Sequence, residues 1–226
     1  IYTHGHVDHA FGTWAFLEAG EKPHIIAQEN ILHRFERYIE LRQLMAKYNS
    51  QKAEQMPMSM DDIALPTQVF SDRLELNIGN ERFILQHHKG ETDDQLYVWL
   101  PERKILATAD YYQGFMPNAG NGKRVQRHVK EWIVALREMA ALNAELMLPA
   151  HGKALTEAKT IQREFNLLAN AFESIRMQAI DGLNQGLRKD QIFQSITLPD
   201  ELAHHHTLRE QYVSYEDVSK MVLKRY

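Results

Sequence analysis

His4, His6, Asp8 and His9 place four metal-ligand side chains within six positions of the chain. Ile1, Tyr2 and Thr3 before them read as the end of a buried strand, and Ala10 opens a helix-like stretch. In extended backbone, alternate side chains face the same way, so His4 and His6 can grip one ion together. Asp8 and His9 lie past the bend and can point at a second. Imidazole and carboxylate around a divalent ion with an open position is the set that catalytic zinc uses. The competing account is a polar turn that is simply His-rich, but this many ligands at one strand-to-helix turn are hard to explain as packing.

This stretch resembles the H-x-H-x-D-H signature of the metallo-β-lactamase superfamily, whose remaining ligands come from later loops. After a strand ending at His87 comes His88-Lys89-Gly90-Glu91-Thr92-Asp93-Asp94. Glu91 stands where most of the superfamily has a His, and this is similar to the alkyl sulfatase branch. On the residues alone, His87 or His88 remains an alternative ligand, with Glu91 a surface acid. Lys104 to Asp110 resembles the strand that ends in the bridging carboxylate, although alkyl sulfatases usually carry Glu at the position of Asp110. Pro149-Ala150-His151-Gly152 resembles the loop that gives the last His. The resemblance implies His4, His6 and Glu91 on one metal, Asp8, His9 and His151 on another, and Asp110 between them. It further implies two divalent ions, with zinc the ion of the lineage, and catalytic importance for Asp8 and Asp110. With Glu91 in place of a His, the cluster carries one unit less positive charge and holds an anionic product less tightly.

The segment after Asp110 ends in cations. Asn118, Lys123, Arg124 and Arg127 are candidate substrate-binding residues, because a guanidinium suits a tetrahedral oxyanion through forked hydrogen bonds. The competing reading has these cations decorating the helix that follows.

The elements that must position these groups change character along the chain. Ala10 to Ala19 reads as a helix, His24 to Ala27 as a short strand, and Gln28 to Tyr48 as one long helix. Residues 49–66 read as a loop, long enough to suggest a lid or binding loop. Leu74 to His87 alternates with period two around Gly79-Asn80, the pattern of a hairpin. Gln95 to Leu100 and Lys104 to Ala109 form another strand pair, Val125 to Leu142 a helix, and Leu146 to Leu148 a short strand. From Glu157 to Gly182 a helical stripe of Ile161, Phe165, Leu168, Phe172 and Ile175 appears, with further helices at Leu187 to Ile196 and Tyr215 to Tyr226. His204, His205 and His206 are adjacent and cannot easily face one ion, so they read as a solvated or interface segment.

The expected fold class is α/β. Residues 1–155 would be the C-terminal portion of an αββα metallo-β-lactamase sandwich whose N-terminal half precedes the chain. Residues 156–226 resemble the all-helical dimerisation region of alkyl sulfatases. The expected partners are a small-molecule ester and a second copy, bound through the tail. Composition excludes little: 226 residues, 44% apolar, 25% charged, net charge −4. That charge gives no reason to expect nucleic-acid binding. The absence of cysteine excludes disulfides, thiolate ligands and a thiol nucleophile. No apolar run approaches a membrane span, and the compartment stays open. The resemblance implies a dinuclear hydrolase that cleaves a sulfate ester to alcohol and sulfate by metal-bound hydroxide. The alternatives are a thioester, lactone or phosphodiester hydrolase, and a non-catalytic dimerisation module.

Overall fold

The computed structural model describes residues 1–120 and 127–226. Its strands are β1 Ile26–Gln28, β2 Gln68–Phe70, β3 Arg73–Ile78, β4 Glu81–His87, β5 Leu96–Leu100, β6 Ile105–Ala109, β7 Leu146–Pro149 and β8 Leu155–Thr156. Its α-helices are α1 Val7–Ala10, α2 Trp14–Glu18, α3 Ile31–Glu40, α4 Arg42–Tyr48, α5 Val129–Ala141, α6 Ala158–Asn184, α7 Lys189–Ser195, α8 Asp200–Ala203 and α9 Tyr215–Leu223.

Strands β3 to β8 form one sheet in chain order, antiparallel except where β6 runs parallel to β7. Strands β1 and β2 form a separate parallel pair. Alternation along each strand sorts the side chains into layers. Ile84, Tyr97, Trp99, Leu106 and Met147 face Trp132, Leu136 and Met139 of α5. Leu85, Leu96 and Val98 point the other way, to Ile26 of β1 and Phe70 of β2. On the far side of β1, Ile25 and Ala27 meet Ile31, Phe35 and Tyr38 of α3. The order is therefore helix, six-stranded sheet, two-stranded sheet, helix: the αββα layering expected of the sequence. Ile1 to Thr3 stitches the two sheets together, as Tyr2 N donates to Ile26 O at 2.8 Å and Thr3 O accepts from Leu96 N at 2.9 Å.

Local differences from the sequence reading have identifiable causes. The single helix expected over 28–48 is two, because Leu41 leaves helical backbone (φ −106°, ψ 29°). That bend folds Met45 and Ala46 back onto the cluster of Ile31, Phe35 and Tyr38. Residues 49–66 are an ordered loop with two 3₁₀ turns, pinned by buried Met56, Ile63 and Ala64. Trp14 is 38% exposed and donates its indole N–H to Asp62 O at 2.9 Å. No helix among the described residues is long and apolar enough to cross a membrane.

The stripe on α6 is internal core of the single chain and not a face left open for a second copy. Ile161, Phe165, Leu168, Phe172 and Ile175 are all at most 1% exposed within the single chain, packed with Trp132 and Leu136 of α5. Trp132 and Phe172 meet edge to face at 5.4 Å. Burying such side chains stabilises by about 1.5–3 kcal/mol each, so five supply roughly 10 kcal/mol, as much as a whole domain's net stability. A chain ending at Leu155 should therefore aggregate or lose its cooperative melting transition, seen by light scattering and circular dichroism. A monodisperse, folded monomer with the parent melting temperature would show that α6 is an optional arm.

Candidate metal centre

The turn carrying the first histidines is built from backbone and long-range contacts. Residues 3–6 bend, and α1 starts at Val7, so Asp8 and His9 lie on its first turn. Gly5 N donates to the buried Asp94 Oδ2 at 2.6 Å. Asp94 Oδ1 accepts from Arg34 Nε at 3.1 Å, and Arg34 Nη2 reaches Asp93 Oδ1 at 2.8 Å. Arg34 packs so tightly on the turn that a Cβ at Gly5 would lie 2.9 Å from its Cδ. Thus Arg34 and Asp94, which the sequence did not mark, fix the turn. Their signal was weak: an Arg on an amphipathic helix and an Asp in an acidic loop.

Asp110 is aimed by an irregularity in β6. The register shifts between Ala107 and Ala109, and Ala109 adopts a left-handed φ of 46°. Bulges and strained backbone of this kind re-aim side chains next to functional sites. His151 follows β7, and Gly152 (φ 98°) sits where a Cβ would meet Gln113 O at 2.8 Å. Only glycine fits there.

The residues converge in two groups, His4, His6, Glu91 and Asp110 in one and Asp8, His9 and His151 in the other. His4 Nε2 lies 3.0 Å from His6 Nδ1 and 3.9 Å from Asp110 Oδ2. His6 Nδ1 is 3.9 Å from Glu91 Oε1. In the second group His151 Nε2 is 3.3 Å from both His9 Nε2 and Asp8 Oδ2. Asp110 faces both, with Oδ2 at 3.6 Å from His9 Nε2 and Oδ1 at 3.7 Å from His151 Nε2. Donors about 2.1 Å from a tetrahedral ion are separated by roughly 3.4 Å, which is the spacing found.

Two observations fit this donor set to divalent cations. First, Glu91 Oε2 and Asp110 Oδ1 are buried and have no hydrogen-bond partner among the described residues. A buried carboxylate oxygen without a donor is costly, and a cation satisfies it. Second, the surroundings shift the protonation of these side chains. Burial, followed by the positive charge of neighbouring groups, pushes His4 and His6 well below the usual imidazole range, which favours the neutral rings that a metal ligand requires. Burial pushes Glu91 up to about 8; Arg127 pulls against it and Asp110 adds to it. Burial lowers His9 too, but hydrogen bonds to Asp110 and Asp8 outweigh it and hold the ring at about 10.

His87 and His88 belong to neither group. His87 Nδ1 lies 2.8 Å from Gln95 O, and His88 Nε2 lies 2.6 Å from Glu138 Oε2 on α5. Of the cations expected to meet substrate, Lys123 and Arg124 lie outside the described residues. Asn118 and Arg127 line the cavity, but both direct polar groups onto Glu91. Asn118 Nδ2 donates to Glu91 Oε1 at 2.6 Å, Arg127 Nη2 to the same oxygen at 3.2 Å, and Arg127 Nη1 to Glu91 O. They clamp this carboxylate from behind.

A cavity of about 620 Å³ opens onto both groups. Its walls include Phe11, Tyr38, Met45 and Phe115, with Tyr212 reaching in from the helical region. The helical region also braces the loop after Asp110. Met116 N donates to Arg209 O at 3.1 Å, and Tyr112 and Thr207 both donate to the buried Glu164 of α6. His205 Nε2 is 3.8 Å from Glu164 Oε1, so one of the three adjacent histidines lies against this buried carboxylate rather than facing only solvent.

A mixed imidazole and carboxylate pair of ligand groups at the rim of an αββα sandwich is the architecture of one class of metalloprotein. Residues 1–151 match the Metallo-beta-lactamase superfamily, and the chain belongs to it. Among particular proteins, the chain is similar to the linear primary-alkylsulfatase of a Pseudomonas species, 25% identical over 252 residues, covering 100% of this chain and 48% of that protein. It is also 28% identical over 157 residues to a type 2 metallo-beta-lactamase of a Bacillus species, covering 68% of this chain and 51% of that one. The solved structure of the stereoselective inverting sec-alkylsulfatase Pisa1 from Pseudomonas sp. superposes with a TM-score of 0.82 at 19% identity, over 100% of this chain and 40% of that one. At that identity the likeness shows the fold. The chain spans about half the length of the curated relatives it matches.

Proposed function

We propose that this chain is the catalytic portion of a dinuclear metal-dependent hydrolase of the alkyl sulfatase type, which cleaves a sulfate ester with water to an alcohol and sulfate. The observation that carries this reading is the place of Glu91, within the first donor group and clamped by Asn118 and Arg127. Glu91 is the residue by which the sequence resembles that branch. Similarity to an alkylsulfatase over the whole chain, tail included, supports it.

In this reading His4, His6 and Glu91 hold one divalent ion, Asp8, His9 and His151 hold the other, and Asp110 lies between them. Bound divalent ions supply Lewis-acid polarisation of the ester and a water made acidic enough to react near neutral pH. The remaining residues orient. Arg127 and Asn118 fix the Glu91 carboxylate, while Arg34 and Asp94 fix the turn carrying His4 and His6. Tyr38, Met45, Phe11 and Phe115 cover the organic part of the substrate and exclude water from it. Asp8 and Asp110 act on the reaction by holding the ions. Residues 1–155 thus carry the chemistry and 156–226 support it. The homodimer implied by the family resemblance would use a surface other than the α6 stripe.

Elemental analysis of protein dialysed against metal-free buffer should give close to two divalent ions per chain. Zinc is the expected ion. In a panel of sulfate, phosphate, thioester and lactone substrates, assayed with this chain beside the intact gene product, sulfate esters should have the highest kcat/KM. A preference for lactones or thioesters would move the protein to another branch of the superfamily. A well-folded sample without metal would make the chain a structural module.

A further inference from the structure

Helix α3 presents Arg34 and Arg37 to the cavity, three residues apart and therefore on one face. Their situations differ. Arg34 is buried and engaged by Asp93 and Asp94. Arg127, the other guanidinium of the described lining, is engaged by Glu91. Arg37 is half-buried, yet among the described residues its side chain makes no hydrogen bond and lies within 4 Å of no carboxylate. Surface arginines are often unpaired, but this one lines the same cavity as Glu91 and Asp110.

The wall around it is also unlike a slot for a plain hydrocarbon tail. Helix α3 advances about 4.5 Å from Arg34 to Arg37, away from the residue that fixes the metal-binding turn. Tyr48, Asn49, Gln51 and Gln55 also line the cavity. Asn49 is held by Met45 O, and Gln55 accepts from Lys52 N through Oε1. Gln51 and Gln55 are exposed, with amides open to water or to a polar ligand alike. An apolar chain packed on Arg37 would cover a half-buried guanidinium without offering it an acceptor, which is unfavourable. A carboxylate would accept two parallel N–H donors from the guanidinium, the geometry for which Arg is suited.

We propose that Arg37 reads a second anionic group, at the end of the substrate remote from the ester that is cleaved. The preferred substrate is then a sulfate ester whose organic part ends in a carboxylate rather than in a methyl group. This inference rests on the sulfatase reading for the reactive end, and on Arg37 and its wall for the other.

The test compares n-alkyl sulfates with ω-carboxyalkyl sulfates of matched chain length on the metal-loaded protein. The parent should favour the carboxylated ester about ten-fold or more in kcat/KM, and the preference should peak at one chain length. In Arg37→Gln the ratio should fall to about one, and Arg37→Lys should retain part of it. Because the readout is a ratio within each variant, misfolding or metal loss that slows both esters cannot imitate the result. A parent ratio near one at every length, or a ratio unchanged in Arg37→Gln, would overturn the proposal. If neither ester is hydrolysed, the sulfatase reading fails and calorimetry decides for Arg37 separately. Tighter binding of ω-carboxyalkane sulfonates than of plain alkane sulfonates, lost in Arg37→Gln, supports the second-anion site, and equal binding of the two overturns it.

Discussion

Asp110→Asn should remove both metal ions and lower ester hydrolysis by at least about 10³-fold, roughly 4 kcal/mol of barrier. Asp110 is a carboxylate that faces both donor groups, through Oδ2 toward His4 and His9 and through Oδ1 toward His151. The substitution changes no volume but replaces a charged oxygen with a neutral oxygen or an N–H₂. Whichever way the amide turns, one side of the site meets a donor where it needs an acceptor. The carboxylate is almost fully buried; Oδ1 has no hydrogen-bond partner among the described residues, and Oδ2 faces His9, whose ring Asp8 also holds. Folding should therefore survive while metal binding does not. Elemental analysis, melting temperature and hydrolysis, measured on one sample, separate the two effects. Two ions and near-parent activity in Asp110→Asn would place the bridge elsewhere.

The parts of this site legible in the sequence are those encoded by local spacing. His4, His6, Asp8 and His9 could be read because a strand-to-helix turn sets their directions within a few residues. The hairpin Leu74 to His87 could be read because period two is local; it appears as β3 and β4, in register from Arg73↔Gln86 to Ile78↔Glu81. What could not be read depends on chain segments distant in sequence. Arg34 meets Asp94 across 60 positions, and Asp94 then fixes Gly5. Nothing near any of the three announces the contact. The choice among His87, His88 and Glu91 was open for the same reason. It turns on whether β4 aims its end at Gln95 and α5 or at the turn, and only the packed sheet decides. Asn118 and Arg127 show a subtler gap. Their types suited an oxyanion, and the oxyanion they contact is the Glu91 carboxylate itself. The α6 stripe was legible as a buried face, but its partner was not. Period and polarity show that a face is covered without saying whether α5 or a second chain covers it.

Glu91→Gln should empty the first donor group and reduce hydrolysis by about 10²-fold or more, since removal of even an outer partner of a metal ligand costs 10- to 100-fold. It should also lower the melting temperature, which distinguishes it from Asp110→Asn. Glu91 Oε1 accepts from both Asn118 Nδ2 and Arg127 Nη2. Arg127 is 2% exposed, so neutralising Glu91 weakens a buried ion pair, and breaking such a pair outright costs about 3–5 kcal/mol. If the amide oxygen turns toward Arg127, the amide nitrogen faces the imidazoles and repels a cation. If it turns the other way, two donors confront Arg127 and Asn118. Glu91→His tests the charge argument. It offers the imidazole found elsewhere in the superfamily, yet it cannot accept from both Asn118 and Arg127. It should recover part of the metal without recovering stability, and it should release anionic product more slowly because the cluster gains a unit of positive charge. His87→Ala and His88→Ala should keep their metal content, because their rings are engaged by Gln95 O and by Glu138. The decisive comparison is between Glu91→Gln and His88→Ala. Retention of both ions in the first with loss of one in the second would make His88 the ligand. It would also dissolve the resemblance to alkyl sulfatases at the residue that defines it, and leave Glu91 as the buried counter-ion of Arg127 in a more general hydrolase.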